Sequence, residues 1–557
     1  MPATHSSLTL GSPRFSDARL AGLAETQGVL AAWQDAVGRD AGKAPAEVTG
    51  DFAVGLVEPD GRLFMAVDRF AIRTLCYRLD EGQLRFAARA DELADAATEI
   101  DPQAIFDYLY FHVIPSPRTI YKGIYRLPPG HFALFGNGQL TVAPYWVPTF
   151  EESSGASFGA LKDEFRQLLR DAVATQLDGT KPACFLSGGT DSSTVAGMAA
   201  LASGKTAATY SIGFDAQGYD EMEFARIAAR HFKTEHHEYY VTADDLVRSI
   251  PAVAAQYDQP FGNSSALPAY YCAKMAREDG VSKILAGDGG DELFGGNTRY
   301  AKQRVFGWYN EVPAALRTGV LEPVSRLSVI DQIPLVRKAA SYVNQARVPM
   351  PDRMMTYNQL MRLGIHDVLT PGFLAQVDSE GPARQQRGVW AQARTDSLVN
   401  RMLAFDWRFT LADCDLPKVV GTTALAGVSV GFPMLDDRLL AFSQRLPTAY
   451  KLKGLQLRWF FKEALRGFLP DEIIIKKKQG FGLPFGVWAN THAGLKALAT
   501  DSLNSLSRRG VVRPDFIQTL LTQRLPEHPG YYGEMIWILM MLEQWLAAKV
   551  PGFGLPK

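Results

Sequence analysis

Two short apolar segments that each end in a glycine- and aspartate-rich loop constrain the fold of this chain most strongly. Residues 183–186 lead into Ser-Gly-Gly-Thr-Asp-Ser at 187–192, and residues 283–286 lead into Gly-Asp-Gly-Gly-Asp-Glu at 287–292. After the first loop, residues 194–200 have the composition of a helix. Glycines let the backbone come close to an anion, and a helix N-terminus adds a favourable dipole. The pattern therefore predicts strand, anion-binding loop and helix in succession.

Strands and helices alternate through this part of the sequence. Helices are predicted at 161–176 and 221–232, and further strands at 207–214 and 237–241. Such alternation indicates an α/β domain with a doubly wound, mostly parallel sheet. Ligands of such sheets bind at the carboxyl ends of the strands, where both glycine loops would meet. Beyond residue 300 the chain is predicted to be almost wholly helical.

The first 150 residues are β-rich instead. Residues 51–57 and 63–67 flank a Pro-Asp-Gly turn, and residues 73–78 and 83–87 flank Asp-Glu-Gly, so two hairpins are predicted. We expect an α+β domain with a small antiparallel sandwich over residues 1–150. A second domain is expected over residues 151–557.

Composition excludes several classes of partner. The 557 residues carry 58 basic and 59 acidic side chains, a net charge of −1, so no global charge draws the chain to nucleic acid or to an anionic membrane. No apolar run approaches the roughly 20 residues that span a bilayer. The first residues lack the layout of a secretory signal, and the four cysteines are scattered. We therefore expect a cytoplasmic protein with reduced thiols.

The carboxylates of the two loops indicate phosphate chemistry. A Walker-type site would have a lysine after the second glycine of the first loop, and Thr190 stands there instead. Unpaired buried charge is expensive, whereas magnesium takes oxygen ligands and bridges phosphates. We expect Asp191 and Asp291 to hold magnesium and pyrophosphate between them. A plain strand-to-helix turn and an acidic turn are the structural alternatives.

The Ser-Gly-Gly-x-Asp-Ser stretch resembles the pyrophosphate loop of ATP pyrophosphatases, which cleave ATP between the α- and β-phosphates. With the second loop, the Lys-Lys-Lys-Gln-Gly-Phe-Gly-Leu-Pro run at 476–484 and the segments at 410–418 and 532–537, nearly the whole chain resembles class B asparagine synthetases. That family implies a parallel sheet of the ATP-pyrophosphatase (HUP) type. It also implies ATP-dependent activation of a carboxylate as an acyl-adenylate, release of pyrophosphate and attack by nitrogen to form an amide.

The resemblance implies roles for individual residues. Asp191, Asp291 and Lys478 would be catalytic, with magnesium on the two aspartates and Lys478 steadying the charge that develops as ATP is cleaved. The implied ATP-binding residues are Ser187, Gly188, Gly189, Asp191, Ser192, Ser193, Ser211, Gly213, Gly287, Asp288 and Gly289. The implied substrate-binding residues are Asp258, Ser265, Glu292 and Ser429. For residues 258–268, a loop that ends in a helix N-cap is the alternative.

The N-terminal part resembles the second half of the family's Ntn-type glutaminase domain in a degenerate form. The family needs a cysteine directly after the initiator methionine, and this sequence has Pro2 there. Cys76 sits in a strand pattern and is not N-terminal. We therefore expect no glutamine hydrolysis. The domain would remain as a scaffold or as a surface for a protein partner or a second copy of the chain, and the sequence favours neither.

A second departure concerns residues 419–431. Where synthetases that amidate aspartate have two arginines, this chain has Gly421 and Gly431, and Ser429 replaces the acid proposed to manage the amine's proton. The changes remove polar contacts that a small charged substrate needs, and we expect them to make room for a larger one.

Three functions stay open at this point. The first is an ammonia-dependent asparagine synthetase. The second is an enzyme that closes an amide within its own substrate, as lasso-peptide cyclases and β-lactam synthetases of this superfamily do. The third is a silent homologue that binds a nucleotide or a partner. The acyl substrate is thus a small-molecule or peptide carboxylate, and the amine donor is not determined.

Overall fold

The protein is described by a computed structural model covering residues 6–58, 60–153, 155–317, 334–477 and 482–555. It has antiparallel sheets in the N-terminal region and a parallel sheet in the region that follows. The mixed α/β fold expected from the sequence is confirmed.

The N-terminal region is built on two larger antiparallel sheets and one short antiparallel pair of strands. Its elements are β1 (Leu8–Gly11), β2 (Arg14–Phe15), α1 (Ala18–Gln27), α2 (Val29–Asp40), β3 (Val48–Thr49), β4 (Phe52–Val57), β5 (Leu63–Val67), β6 (Cys76–Asp80), β7 (Gln83–Ala87), α3 (Pro102–Phe111), β8 (Ile124–Arg126), β9 (His131–Gly136) and β10 (Gln139–Pro144). One larger sheet has the order β1-β4-β5-β9-β10 and the other β7-β6-β8, and the short pair is β2–β3. The two predicted hairpins, β4–β5 and β6–β7, are confirmed.

Alternating side chains on the five-stranded sheet create two separate cores. Phe52 and Phe64 pack with Trp33 of helix α2 on one face, whereas Ala53 and Met65 belong to the apolar cluster on the other face. Successive residues of a strand point to opposite faces, so one strand serves both layers. The space between the two sheets is therefore filled by apolar side chains.

The second region begins with the parallel sheet and its helices. Up to its fourth strand the elements are α4 (Phe158–Ala174), β11 (Ala183–Phe185), α5 (Thr190–Ser203), β12 (Ala208–Phe214), α6 (Met222–Phe232), β13 (Glu235–Val241), α7 (Ala243–Gln256), α8 (Ala266–Glu278) and β14 (Lys283–Leu285). The predicted helices and strands of this segment are all present, with ends shifted by a few residues.

Helices dominate the remainder. The elements are α9 (Gly290–Phe294), α10 (Thr298–Glu311), α11 (Ala314–Leu316), α12 (Pro334–Ala346), α13 (Gln359–Leu363), α14 (Ile365–Val368), α15 (Pro371–Leu374), α16 (Gly381–Gln392), α17 (Leu398–Asp406), a π-helical segment (Trp407–Asp415), α18 (Leu416–Ala426), β15 (Ser429–Gly431), α19 (Asp437–Arg445), α20 (Thr448–Lys451), β16 (Leu452–Lys453), β17 (Gln456–Leu457), α21 (Trp459–Leu465), α22 (Asp471–Ile475), α23 (Phe485–Thr491), α24 (Ala493–Arg508), α25 (Pro514–Thr519), α26 (Leu525–Glu527) and α27 (Pro529–Lys549). In the described part of the chain, none of the helices combines the length and the apolar character that crossing a membrane requires.

The parallel sheet has the strand order β13-β12-β11-β14-β15. The chain leaves β11 towards β12 and β13, then returns to add β14 and β15 on the other side. Cys184 of β11 pairs with both Thr209 of β12 and Leu285 of β14, so the order reverses at β11. Such a reversal opens a crevice at the carboxyl ends of the strands. Strand β15 was not predicted, because Ser-Val-Gly between two helices carries no strand signal.

The two regions share buried contacts. Trp407 packs against Phe70, Trp146 and Phe150, with ring centroids 5.1–6.2 Å away. The Trp407 indole N–H also donates to the carbonyl oxygen of Glu292 at 2.9 Å. The N-terminal region is thereby joined to the second glycine loop, while the domain boundary near residue 150 stays a prediction.

A buried ion pair adds to this interface. Arg126 Nη2 lies 2.8 and 2.9 Å from the two carboxylate oxygens of Asp258, and the Ala90 N–H donates to the same carboxylate at 2.9 Å. Burial alone would raise the pKa of Asp258, but Arg126 and this N–H hold it below its usual value. Asp258 therefore stabilises the fold when it is ionised.

Replacing Asp258 by Asn should leave the Arg126 guanidinium buried without its counter-charge. We expect Asp258→Asn to lower the free energy of unfolding by about 3–5 kcal/mol, measured by chemical denaturation at neutral pH. In the native chain this contribution should be present at neutral pH and should disappear as the pH falls below about 4. The exposed pair between Lys122 and Glu99 provides the control, since Glu99→Gln should change the unfolding midpoint little. Equal shifts in the two variants would contradict this account.

Candidate functional site

A cavity of about 920 Å³ opens at the carboxyl ends of strands β11, β12 and β14. Both glycine loops line it, together with the β12 segment at Ser211, the start of α18 at Lys418 and the segment 455–459. This is the crevice that the strand order creates, and it brings together residues almost 300 positions apart in the sequence. The two loops meet at one cavity, as the sequence predicted.

The first loop joins β11 to α5 and packs closely against helix α6. Gly188 has a φ of +71°, and a Cβ atom there would lie 2.4 Å from the backbone nitrogen of Ala225. Ser192 Oγ accepts a hydrogen bond from the Ser187 N–H at 3.1 Å, which closes the loop. Gly189 at the N-cap has no side chain that could cap the helix. The first N–H groups of α5 can therefore bind an anion in the cavity.

The second loop touches the first one through its glycines. A Cβ atom on Gly287 would lie 2.7 Å from the backbone nitrogen of Ser192, and one on Gly290 would lie 2.0 Å from Asp191 Oδ1. Real Cβ atoms do not approach other atoms so closely. Gly287 needs to be glycine because the backbones of the two loops are in contact there, and Gly290 leaves room for the carboxylate of Asp191.

Arg458 lies between the aspartates of the two loops. Its Nη1 atom is 2.7 Å from Asp191 Oδ2 and 2.7 Å from Asp291 Oδ1, and its Nη2 atom donates to Asp191 Oδ1. The side chain is only 6% exposed. Its guanidinium carbon lies 3.9 Å from the centre of the Phe461 ring. Burial alone would lower the pKa of Arg458, but the two carboxylates raise it above its usual value, so the guanidinium is charged.

The residues present fit a magnesium ion that arrives with a triphosphate. The carboxylates that line the cavity include the four of the two loops, from Asp191, Asp288, Asp291 and Glu292. Among the described residues, no group of three or more His, Cys, Asp or Glu side chains is arranged to hold a metal by itself. Magnesium commonly takes only one or two protein carboxylates and completes its shell with water and phosphate oxygens. A magnesium–nucleotide complex needs no cage built by the protein alone.

A second charged group lies on the wall formed by helix α18. Lys418 Nζ is 3.1 Å from Asp415 Oδ1 and 3.5 Å from Asp288 Oδ1. Burial raises the pKa of Asp288, and Lys418 offsets this only in part. Burial also raises the pKa of Glu292 well above its usual value, and the nearby Asp291 adds to that rise. Asp288 and Glu292 thus retain a proton more readily than exposed carboxyls and can exchange one with a bound ligand.

The other predicted residues divide into those at the cavity and those away from it. In addition to Asp191, Asp288, Asp291 and Glu292, the predicted residues that line the cavity are Ser187, Gly189, Ser192, Ser211, Ser265, Gly287 and Gly289. Gly188, Ser193, Gly213, Asp258 and Ser429 are not among the lining residues. Their roles in binding stay predictions.

Two of these placements have physical reasons. The Asp258 carboxylate is held by Arg126 in the interface between the two regions. Ser429 lies at the amino end of β15, opposite to the edge that forms the cavity, and its hydroxyl donates to the Ser282 carbonyl at 2.9 Å. Neither residue is brought together with the two loops.

Lys478, the predicted catalytic lysine, lies outside the described residues, as does Pro2. Its neighbours Lys476 and Lys477 line the cavity, and Lys476 Nζ lies 3.0 Å from Glu221 Oε1. The basic segment therefore reaches the same cavity as Asp191 and Asp291 up to residue 477.

Comparison with known proteins agrees with this geometry. The asparagine synthase family model matches residues 164–547, which is more than half of the chain. This chain belongs to the asparagine synthase family. A second model, a glutamine amidotransferase domain, matches residues 17–146 of this family member. The resemblance to class B asparagine synthetases is thus confirmed.

Individual relatives of this asparagine synthase family member are distant. Asparagine synthetase (glutamine-hydrolyzing) 1 of Bacillus subtilis is 22% identical over 502 residues, covering 89% of this chain and 77% of the relative. A putative asparagine synthetase (glutamine-hydrolyzing) of Mycobacterium tuberculosis is 28% identical over 456 residues, covering 79% and 68%. Amidase chyE of Penicillium rubens is 23% identical over 521 residues, covering 81% and 72%.

Two charged residues that contact the loop carboxylates escaped the sequence analysis. Lys418 closes the matched segment 410–418 but was given no role, although a lysine three residues after Asp415 on one helical turn signals an ion pair. Arg458 gave no signal, because its contacts depend on a left-handed backbone conformation with φ +54° just before helix α21.

The contact between the loops can be tested at Gly287, which has an ordinary φ. Gly287→Ala should push the loops apart, because the nearest atoms to the new methyl group belong to the backbone of residues 191 and 192. We expect about a 10²-fold loss in kcat/KM for ATP, the size of effect that a misplacement of about 1 Å produces. Gly38→Ala is the matched control, since a Cβ atom there meets nothing within 4 Å. A Gly287→Ala variant with unchanged nucleotide kinetics would show that the loops are not in functional contact.

Proposed function

We propose that this chain is an ATP-dependent amide synthetase that forms AMP and pyrophosphate. It adenylates a carboxylate and transfers the acyl group to a nitrogen nucleophile. The observation that carries this proposal is the contact of two aspartate-bearing glycine loops at one cavity on the carboxyl edge of the parallel sheet. Membership of the asparagine synthase family and the names of the relatives support it.

The triphosphate would lie against the first loop and the N-terminus of α5, where N–H groups and the helix dipole favour negative charge. Asp191 and Asp291 would hold magnesium, which would supply positive charge to the triphosphate. Lys478 would add a fixed positive charge for the leaving pyrophosphate. Ser211, in the middle of β12, lines the cavity and would lie on its nucleoside side.

The acyl substrate would bind between Ser265, Glu292 and the helix α18 wall. At neutral pH an attacking ammonium or amine must lose a proton before or during attack on the adenylate. A carboxylate oxygen of Asp288 is suited to accept it, because burial raises the pKa of this group towards the working pH. Lys418, 3.5 Å away, fixes the orientation of that carboxylate.

The nitrogen donor in this proposal is not glutamine. Cys76 is the single cysteine before residue 151. It is buried, and burial raises the pKa of its thiol to about 12, so it is not a nucleophile at neutral pH. Free ammonia or an amine on the substrate itself would then attack the adenylate.

The departures at 419–431 support a carboxylate other than aspartate, but not through extra space. A Cβ atom on Gly421 would lie 2.4 Å from the Tyr257 ring, and one on Gly431 would lie 2.5 Å from Gln176 Oε1. The room that the sequence led us to expect at these two glycines is therefore absent. What the changes remove is charged side chains that a small charged substrate would need, and this favours an enzyme that closes an amide within its own substrate as the second candidate. A silent nucleotide- or partner-binding homologue is the third.

Pyrophosphate release separates the three functions. Release from magnesium and ATP with aspartate and ammonia, together with AMP in equal amount, is the result expected of an ammonia-dependent asparagine synthetase. Release that needs a peptide or amino-acid derivative carrying its own amine identifies the cyclase. Glutamine should not replace ammonia, and no glutamate should form from it. Nucleotide binding without turnover on any acyl donor would reject the synthetase assignment.

Lys478→Ala should reduce carboxylate-dependent ATP–pyrophosphate exchange by about 10²–10³-fold, as the loss of other preorganised charge stabilisers does. The exposed Lys496 provides the matched control, because Lys496→Ala removes the same charge from helix α24 outside the cavity. If Lys478→Ala catalysed ATP–pyrophosphate exchange at close to the rate of the unmodified protein, Lys478 would have no role in the mechanism.

A further inference from the structure

Arg458 occupies the position between Asp191 and Asp291 that the proposed function gives to a metal ion. Its Nη1 atom is at hydrogen-bond distance from an oxygen of each carboxylate, and from Thr190 Oγ1 at 3.0 Å. Two carboxylates and one guanidinium leave this group with a net charge of −1. The aspartates are thus already neutralised in part before any ligand binds.

We propose that Arg458 is an internal counter-ion that holds Asp191 and Asp291 together in the nucleotide-free protein and competes with the divalent cation for them. This inference rests on the proposed function, because that function supplies the reason for a cation at this position. It assigns to Arg458 a positioning role, and it implies that the metal enters with the nucleotide rather than alone.

Electrostatics explains why such a counter-ion is needed. The contact between the loops brings two like charges to the Nη1 atom of one guanidinium, in a place that water reaches only in part. Without a cation the carboxylates would repel each other and separate, or one of them would take up a proton. A planar guanidinium with several N–H donors can bind both at once, which a lysine ammonium does less well.

The surroundings of Arg458 indicate where the guanidinium goes when a metal binds. In the described part of the chain, its Nε atom is buried without a hydrogen-bond acceptor. A buried N–H without an acceptor is costly, and a phosphate oxygen is a strong acceptor for it. The Phe461 ring below the guanidinium supports its plane while the hydrogen bonds exchange. Nucleotide binding thus offers Arg458 new acceptors as the metal takes the aspartates.

The test is a titration of the whole chain with Mn²⁺ in the absence of nucleotide. Binding of Mn²⁺ is measured by electron paramagnetic resonance. Arg458→Gln removes the competing charge and keeps a polar side chain, so we expect Mn²⁺ to bind at least about tenfold more tightly than to the unmodified protein. Arg458→Lys keeps the charge but bridges the carboxylates less well, so its affinity should lie between the two. A loss of structure would not tighten metal binding, so this readout distinguishes a counter-ion from a merely structural arginine.

The buried pair of Arg126 and Asp258 supplies the matched control outside the cavity. Arg126→Gln should reduce stability and leave Mn²⁺ affinity unchanged. Equal or weaker Mn²⁺ binding by Arg458→Gln would overturn the proposal, and if that variant does not fold, equal or weaker binding by Arg458→Lys would do so. Failure of the proposed function would instead appear as an unmodified protein that binds no magnesium–ATP, a result that the titration with Mn²⁺ alone does not depend on.

Discussion

The contact between two backbone loops above the parallel sheet is the constraint on which the cavity depends. Strands β11 and β14 are neighbours, so the loops that follow them leave the sheet side by side. Gly287 allows the backbones to touch, Gly290 leaves room for the Asp191 carboxylate, and this packing brings Asp191 towards Asp291. The arrangement that makes a phosphate site possible therefore also creates a local excess of negative charge. Arg458 neutralises part of this charge at Asp291, and Lys418 neutralises part of it at Asp288.

Local patterns were sufficient to predict the strands and glycine loops that contribute to the cavity. The buried strands at 183–185 and 283–285 and the loops after them were identified because glycine, aspartate and apolar residues occur in an order that few other structures use. The edge strand β15 could not be predicted from the sequence, because this three-residue segment between helices forms a strand only through its pairing with β14. The role of Arg458 could not be predicted for a similar reason. Its function depends on residues 167 and 267 positions away, which no local pattern reports.

Resemblance to a family was a weaker guide where this chain departs from the family's pattern. Ser429 and Asp258 were assigned to the substrate from matched segments. The structure places Ser429 at the amino end of β15 and Asp258 in an interface ion pair, and their roles in binding stay predictions. The glycines at 421 and 431 show that a small residue in the sequence does not by itself predict free space in the fold. A small residue implies space only when its neighbours stay in place, and here Tyr257 and Gln176 lie against the positions that a side chain would fill.

The aromatic group around Trp407 has a consequence for the history of the N-terminal region. Phe70, Trp146 and Phe150 cover one side of an indole whose N–H fixes the Glu292 carbonyl beside the cavity. Removing the N-terminal region would expose this apolar surface to solvent and would take away the packing that holds the backbone next to Asp291. Whatever chemistry the N-terminal region performs, it is thus also part of the support of the cavity, so selection on the cavity acts on both regions together.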